Sequence, residues 1–258
     1  MSKPSKLIGS VERAVDILNL FNVRSPELGM TEIAKSLGLH KSTVASLVYT
    51  LAAKDYLYQN QATRKYRLGF KLVERASIVL GHVEVRHAAL PHLQQLRDEF
   101  DETVNLAILD EAYVVYVERL VGTKALGVRT EIGKREPAHS TALGKAILSH
   151  LPAAELEVFV KQHGLRKVTE RTITTRPRLM RELGKTRERG FAIDEEESEL
   201  GERCVGAPIF DHMGRVVAAV SISAPLPRIP LTEIPRFGAQ VRQTAEAISR
   251  NLGYSSQV

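Results

Sequence analysis

Met30-Thr-Glu-Ile-Ala-Lys-Ser-Leu-Gly-Leu-His-Lys-Ser-Thr-Val44 is the stretch that decides how the chain begins to fold. Thr31 can cap a short helix in which Ile33, Ala34 and Leu37 fall on one face, and Gly38 stops it. Leu39 and His40 lead into a second run that starts near Lys41 and buries Val44, Leu47, Val48 and Leu51. Helix, tight glycine turn and second helix together make a helix-turn-helix.

Upstream, Ser10 is placed to cap a first helix, with Val11, Ala14, Val15, Leu18 and Phe21 at helical spacing and an end near Asn22. Residues 24–29 have loop chemistry. Downstream, residues 56–58 and 65–68 read as short strands around a polar segment, a hairpin that would form a wing. Residues 71–89 read as a connecting helix, and Pro91 either kinks it or begins a new one. Leu72, Val73, Ala76, Val79, Leu80 and Val83 give that helix an apolar stripe, which suits packing on its own domain or, for a helix joining two domains, on a second subunit.

The remainder alternates strand patterns at 104–109, 113–117, 126–129, 204–210 and 216–223 with helical ones at 142–149, 153–163, 178–188 and 234–252. Strands in pairs separated by helices predict a mixed, mostly antiparallel α/β sheet rather than a regular βαβ array. The chain of 258 residues is long enough for two compact domains.

Charge is unevenly spread. The net charge is +6, and through Phe70 basic residues outnumber acidic ones ten to five, so most of the surplus sits in the first quarter. That favours a polyanionic partner. The single cysteine, Cys204, leaves no internal disulfide and fits a reducing compartment. With no signal-like start and no long apolar run, a cytoplasmic protein is expected.

A helix that enters the DNA major groove puts its N-terminal side chains nearest base edges and phosphates. Here those are Lys41, Ser42 and Thr43, with Ser46 a turn on and Tyr49 further along; the hairpin would add Arg64, Lys65 and Arg67. A small helical domain used for protein contact fits the helices equally well, but not the basic hairpin.

The same segment, followed by Lys54-Asp-Tyr-Leu57 and Tyr66-Arg-Leu-Gly69, resembles the IclR family of bacterial regulators. Separate matches lie downstream in Ala138-His-Ser-Thr-Ala-Leu-Gly-Lys-Ala146, Gly190-Phe-Ala-Ile-Asp-Glu-Glu-Glu197, Cys204-Val-Gly-Ala-Pro-Ile209 and Ala219-Val-Ser-Ile-Ser223. The resemblance implies an α+β protein: a winged helix-turn-helix over 1–70, a linker helix over 71–89 and a GAF-like effector-binding domain over 90–253. It also implies double-stranded operator DNA as partner, a homodimer or dimer of dimers, and a small organic effector, a carboxylate or aromatic acid from catabolism. The effector positions it implies are Val128, Ala142, Leu143, Asp194, Cys204, Ser221 and Ser223. Two departures stand out: Ser46 where many relatives carry Arg, and Asp55 where they usually carry Gly, a position Asp tolerates in the left-handed conformation.

Two rivals are an enzyme of small organic acids with an appended DNA-binding domain, for which no nucleophile–base set is readable, and a redox regulator acting through Cys204. No cofactor or metal is expected. Gly144-Lys145 lacks the phosphate-loop pattern and reads as a helix start. His82, His87 and His92 are spaced so that helix geometry keeps them apart. Residues 194–197 lack calcium-loop spacing and read as a solvated charge run.

Overall fold

The computed structural model describes residues 7–22, 24–81, 84–124 and 131–255. The chain divides into two compact units, Met1–His82 and Val83–Val258.

In the first unit, helices α1 (Gly9–Asn19), α2 (Met30–Leu37) and α3 (Lys41–Ala53) precede an antiparallel hairpin of β1 (Leu57–Gln59) and β2 (Tyr66–Leu68), and α4 (Lys71–Gly81) follows. Ile17, Phe21, Ile33, Ala34, Val44, Val48, Leu57 and Tyr66 form the core, so α1, α2, α3 and the hairpin each supply part of it. Gly38 takes the left-handed conformation at the end of α2, with φ 64°, and turns the chain into α3. Leu28 exchanges backbone hydrogen bonds of 2.9 and 2.8 Å with Tyr66, so the segment before α2 adds a bridge to the wing. The sequence gives that segment only as a loop.

The helix starts differ from expectation. Ser10 is not a cap: Ile8 is the N-cap of α1, its carbonyl accepting from Val11 and Glu12, and Ser10 lies inside the helix. Nor does Thr31 cap α2; Gly29 is the N-cap, and its N–H donates to the Glu32 carboxylate at 2.6 Å. Helix α1 ends at Asn19, and Asn22 instead organises the following turn by accepting from the N–H groups of Arg24 and Ser25. Val11 and Val15 were expected inside but are 58% and 50% exposed, because Ile17 and Phe21 take the inward face.

Asp55 holds φ 62°, as its side chain permits. Beside it, Gly69 is pressed against that turn: a Cβ there would lie 2.0 Å from the Asp55 carbonyl oxygen. The contact sets the path from wing into α4.

The second unit begins with α5 (Glu84–Phe100), which carries Pro91 inside it, so Pro91 begins no new helix. A six-stranded, wholly antiparallel sheet follows in the order β5-β4-β3-β8-β7-β6. Its strands are β3 (Thr103–Asp110), β4 (Tyr113–Leu120), β5 (Arg135–Pro137), β6 (Ala192–Glu195), β7 (Glu202–Phe210) and β8 (Val216–Pro225). Helices α6 (Ala142–Leu148), α7 (Ala153–His163) and α8 (Arg176–Arg189) come between β5 and β6, and α9 (Ile234–Asn251) closes the unit. The two short edge strands have no counterpart in the sequence reading, and the strand expected at 126–129 lies outside the described residues, as does Val128. The sheet is antiparallel throughout rather than mixed, and with helices packed on it and a winged helix-turn-helix earlier in the chain the protein has the α+β, GAF-like arrangement expected.

Helix α6 sits on the sheet through Gly206 of β7, where a Cβ would come 3.0 Å from the carbonyl carbon of Ala142. All seven of its residues are buried. No helix among the described residues is long and apolar enough to cross a membrane.

Replacing Gly69 by Ala forces its Cβ into the Asp55 backbone, and the expected cost is about 1–3 kcal/mol, measured as a lowered urea midpoint of the winged unit. Gly9→Ala, where a Cβ meets nothing within 4 Å, serves as the neutral control.

Candidate functional site

The exposed surface of α3 carries Lys41, Ser42, Thr43, Ser46 and Tyr49, with Val44 and Val48 anchoring the opposite side in the core. Ser42, Ser46 and Tyr49 share one stripe by helical geometry. Ser46 Oγ donates to the Ser42 carbonyl at 3.2 Å, which satisfies its proton and leaves its lone pairs free to accept. In the wing, Asn60 Oδ1 accepts from Ala62 and Thr63, and Arg64 stands exposed at φ 58°. The Arg67 guanidinium lies 4.8 Å from the ring centroid of Tyr58, an exposed aromatic that orients it. Lys65 differs from its neighbours: its ammonium is 3.6 Å from the Glu32 carboxylate, so it ties the wing to the start of α2.

The second constellation is built by strand register. Asp194 on β6 pairs with Cys204 on β7, and Cys204 pairs with Ser223 on β8, so three side chains from three adjacent strands stand in one row. Ser221 follows two residues before Ser223 on the same strand face. Ala142 and Leu143, at the start of α6, cover that face. These six positions line one cavity of about 330 Å³. Tyr116, Lys134, Glu136, Thr141, Ser198, Glu199, Leu200 and Glu202 also line it; sequence reasoning missed Glu136 because β5 is three residues long, and Tyr116 because it shows nothing but strand alternation.

The chemistry of the cavity is polar and acid-rich. Ser221 Oγ is buried and has no hydrogen-bond partner among the described residues, so it presents an unused donor and acceptor to whatever enters. Ser223 Oγ accepts from Asn105 Nδ2 at 3.2 Å. Glu136 accepts from the Tyr116 hydroxyl at 2.6 Å and pairs with Lys134 at 2.5 Å. Burial raises Asp194 to about 6 and Glu202 to about 7, so at neutral pH Asp194 is mostly ionised while Glu202 is about half-protonated.

Asp194 has a second employment. Its Oδ1 accepts from the N–H groups of Glu197 at 2.8 Å and Ser198 at 3.3 Å, and its Oδ2 accepts from the Ser198 hydroxyl. It therefore holds the turn that closes one side of the cavity.

Residues 194–197 are not a solvated run. Asp194 and Glu197 are buried, Glu195 pairs with Arg203 at 2.7 Å and Glu196 with Arg171 at 2.9 Å. Glu197 meets the ammonium of Lys145, itself fully buried on α6. Burial pushes Glu197 up to about 7 although the Lys145 charge opposes the shift. Lys145 thus joins α6 to the turn after β6.

Cys204 is poorly suited to redox sensing. Burial pushes its thiol well above the ordinary range, and Asp194 adds to the shift, so the reactive thiolate is disfavoured. No group of three or more His, Cys, Asp or Glu among the described residues could hold a metal; His82 lies outside them, and His92 bonds Asn251 at 2.9 Å.

An exposed helix-turn-helix with a basic wing and a separate sheet domain enclosing a small polar cavity define a DNA-binding regulator. Family models agree in both halves: the IclR helix-turn-helix domain matches residues 10–61, and the bacterial transcriptional regulator IclR C-terminal domain matches residues 77–250. The HTH-type transcriptional regulator XynR of Escherichia coli is 42% identical over 96% of this chain and 98% of its own length. Among solved structures, the Thermotoga maritima IclR superposes with a TM-score of 0.84 at 34% identity, covering 95% of this chain and 99% of that one. An IclR homologue from Microbacterium hydrocarbonoxydans complexed with 4-hydroxybenzoate gives 0.82 at 26% identity, covering 95% and 100%. The chain belongs to the IclR family of transcriptional regulators, and the relatives are named as regulators, not enzymes.

Removing one partner of the buried Lys145–Glu197 pair leaves the other charge stranded, at a cost of about 3–5 kcal/mol. Lys145→Met and Glu197→Leu should each destabilise the protein by that order in urea unfolding, and the double variant by less than the sum. Additive losses would mean that the pair does not couple α6 to the turn.

Proposed function

We propose that this regulator binds operator DNA through Lys41, Ser42, Thr43, Ser46 and Tyr49 of α3, with Arg64 and Arg67 of the wing on the flanking backbone or minor groove. Lys65 is placed to join them, its exposed pair with Glu32 steadying the wing. In this reading residues 1–70 are the DNA-binding domain, 71–89 a linker and 90–253 the sensor, and the protein works in the cytoplasm.

The sensor takes a small organic acid in the cavity lined by Ala142, Leu143, Asp194, Cys204, Ser221 and Ser223. The observation that carries this is the unpartnered buried hydroxyl of Ser221, which opens into the cavity instead of packing against a protein acceptor. The complex of a homologue with 4-hydroxybenzoate supports an acid of that size. With Glu202 about half-protonated near neutrality, an anion enters with less repulsion than two full carboxylates would impose.

The working form is a homodimer or dimer of dimers. Val11 and Val15 of α1 line an apolar groove with Leu18 and Leu47, a contiguous apolar surface of the kind that marks a contact, and Val73 of α4 is exposed as well. A dimer also supplies the two recognition helices that paired half-sites require, about one DNA turn apart.

Two experiments test these assignments. Lys41→Ala should weaken operator binding and reduce the slope of log affinity against log salt by about one, as for one lost phosphate contact; an unchanged slope with unchanged affinity removes α3 from the interface. Val73→Asp should shift the protein toward monomer in sedimentation without unfolding either unit, whereas an unaltered assembly places the contact elsewhere.

A further inference from the structure

A second cavity, of about 550 Å³, lies in the sensor unit and shares no lining residue with the first. Phe210, at the end of β7, forms its floor. The His150 ring meets Phe210 edge-on with centroids 5.0 Å apart, and Tyr254 stacks on it at 5.1 Å. One wall is α9, where Arg242, Glu246 and Arg250 recur every four residues on one face. Arg242 is 3.5 Å from Glu246, and Arg250 is exposed at the rim, so two guanidinium groups stand against one carboxylate.

We infer that this cavity is a second ligand site, and that it takes a planar aromatic carboxylate whose ring lies against Phe210 and Tyr254 while its carboxylate pairs with Arg250. Three features select that chemistry. Flat rings gain from stacking and edge contacts with the aromatic floor. A guanidinium matches a carboxylate in a bidentate fork. Burial also lowers the His150 pKa, and its Nδ1 is engaged with Ser149 Oγ at 2.8 Å, so the histidine faces the ligand as a neutral ring and leaves the anion to the arginines.

The site bears on regulation through α6. Ala142 and Leu143 at one end of that buried helix line the first cavity, and His150, two residues beyond its other end, lines the second. The Arg187 guanidinium donates to the Ser149 carbonyl and holds that far end in place. A ligand against His150 therefore acts on the same element that roofs the first cavity. Because an organic acid can also enter the first cavity, only the binding that Arg250→Glu removes is assigned to this one.

Titration calorimetry of the full chain with benzoate tests it, comparing wild type, Arg250→Glu and Arg236→Glu. Arg236 lies on the same helix, outside the cavity and 63% exposed at its side chain, so its variant carries the same charge change without touching the site. The expected result is saturable binding at millimolar benzoate or below, weakened about tenfold or more by Arg250→Glu and left within about twofold by Arg236→Glu. Benzoate that fails to bind wild type, binds wild type and Arg250→Glu alike, or is weakened equally by both variants overturns the assignment. Unchanged thermal unfolding of both variants without ligand excludes misfolding as the cause of any loss.

Discussion

The buried ion pair between Lys145 and Glu197 is the constraint on which the sensor's architecture rests. A lysine fully withdrawn from water is tolerated only beside an opposite charge. Meeting that demand fixes the start of α6 against the turn that follows β6. The same turn is held from the other side by Asp194, which accepts two backbone N–H groups and the Ser198 hydroxyl. The cavity lies between these fastenings, so its roof and one wall cannot move independently. Glycine enters at two places in support: Gly206 lets α6 approach the sheet, and Gly144 lets it pass the Ala138 backbone, where a Cβ would lie 2.0 Å from the carbonyl oxygen.

The acid-rich cavity and the basic wing divide the electrostatic work of the protein between its two units. In the winged unit, cations sit on exposed, aromatic-propped positions such as Arg67 over Tyr58, where they can exchange water and counterions for phosphate. In the sensor, carboxylates are desolvated and their pKa values raised, which makes ligand entry sensitive to charge and to the number of hydrogen-bond donors the ligand brings. A ligand can shift DNA binding only to the extent that it binds two arrangements of the protein unequally. The pinned helix α6 is the element whose position a ligand would bias.

Local sequence revealed the recognition helix and the wing because each is specified by residues close together: Gly38 for the turn, the Val44/Val48 spacing for the buried face, alternation around Tyr66 for the hairpin. The seven proposed effector positions were legible only through family resemblance; strand register explains why Asp194, Cys204, Ser221 and Ser223 converge, and α6 brings Ala142 and Leu143 over them. What local reading could not supply depends on distant partners. Strands β5 and β6, three and four residues long, are too short to display alternation. Residues 194–197 look like a solvated run until Lys145, far upstream in sequence, is brought against Glu197. The Leu28–Tyr66 bridge likewise joins a loop to a strand with two helices between them.

The central claim is that the cavity in the sensor governs DNA occupancy by the winged unit, and Ser221 offers the most direct access to it. Removing its hydroxyl costs the unliganded fold little, because no hydrogen bond to it is made among the described residues. Operator binding should therefore be followed by fluorescence anisotropy for wild type and Ser221→Ala, with and without an organic acid that thermally stabilises the wild-type protein. The account predicts equal DNA affinity without ligand, a shift of about 5- to 150-fold for wild type with ligand, and a much smaller shift for the variant at the same concentration. A variant that responds as wild type does would contradict it.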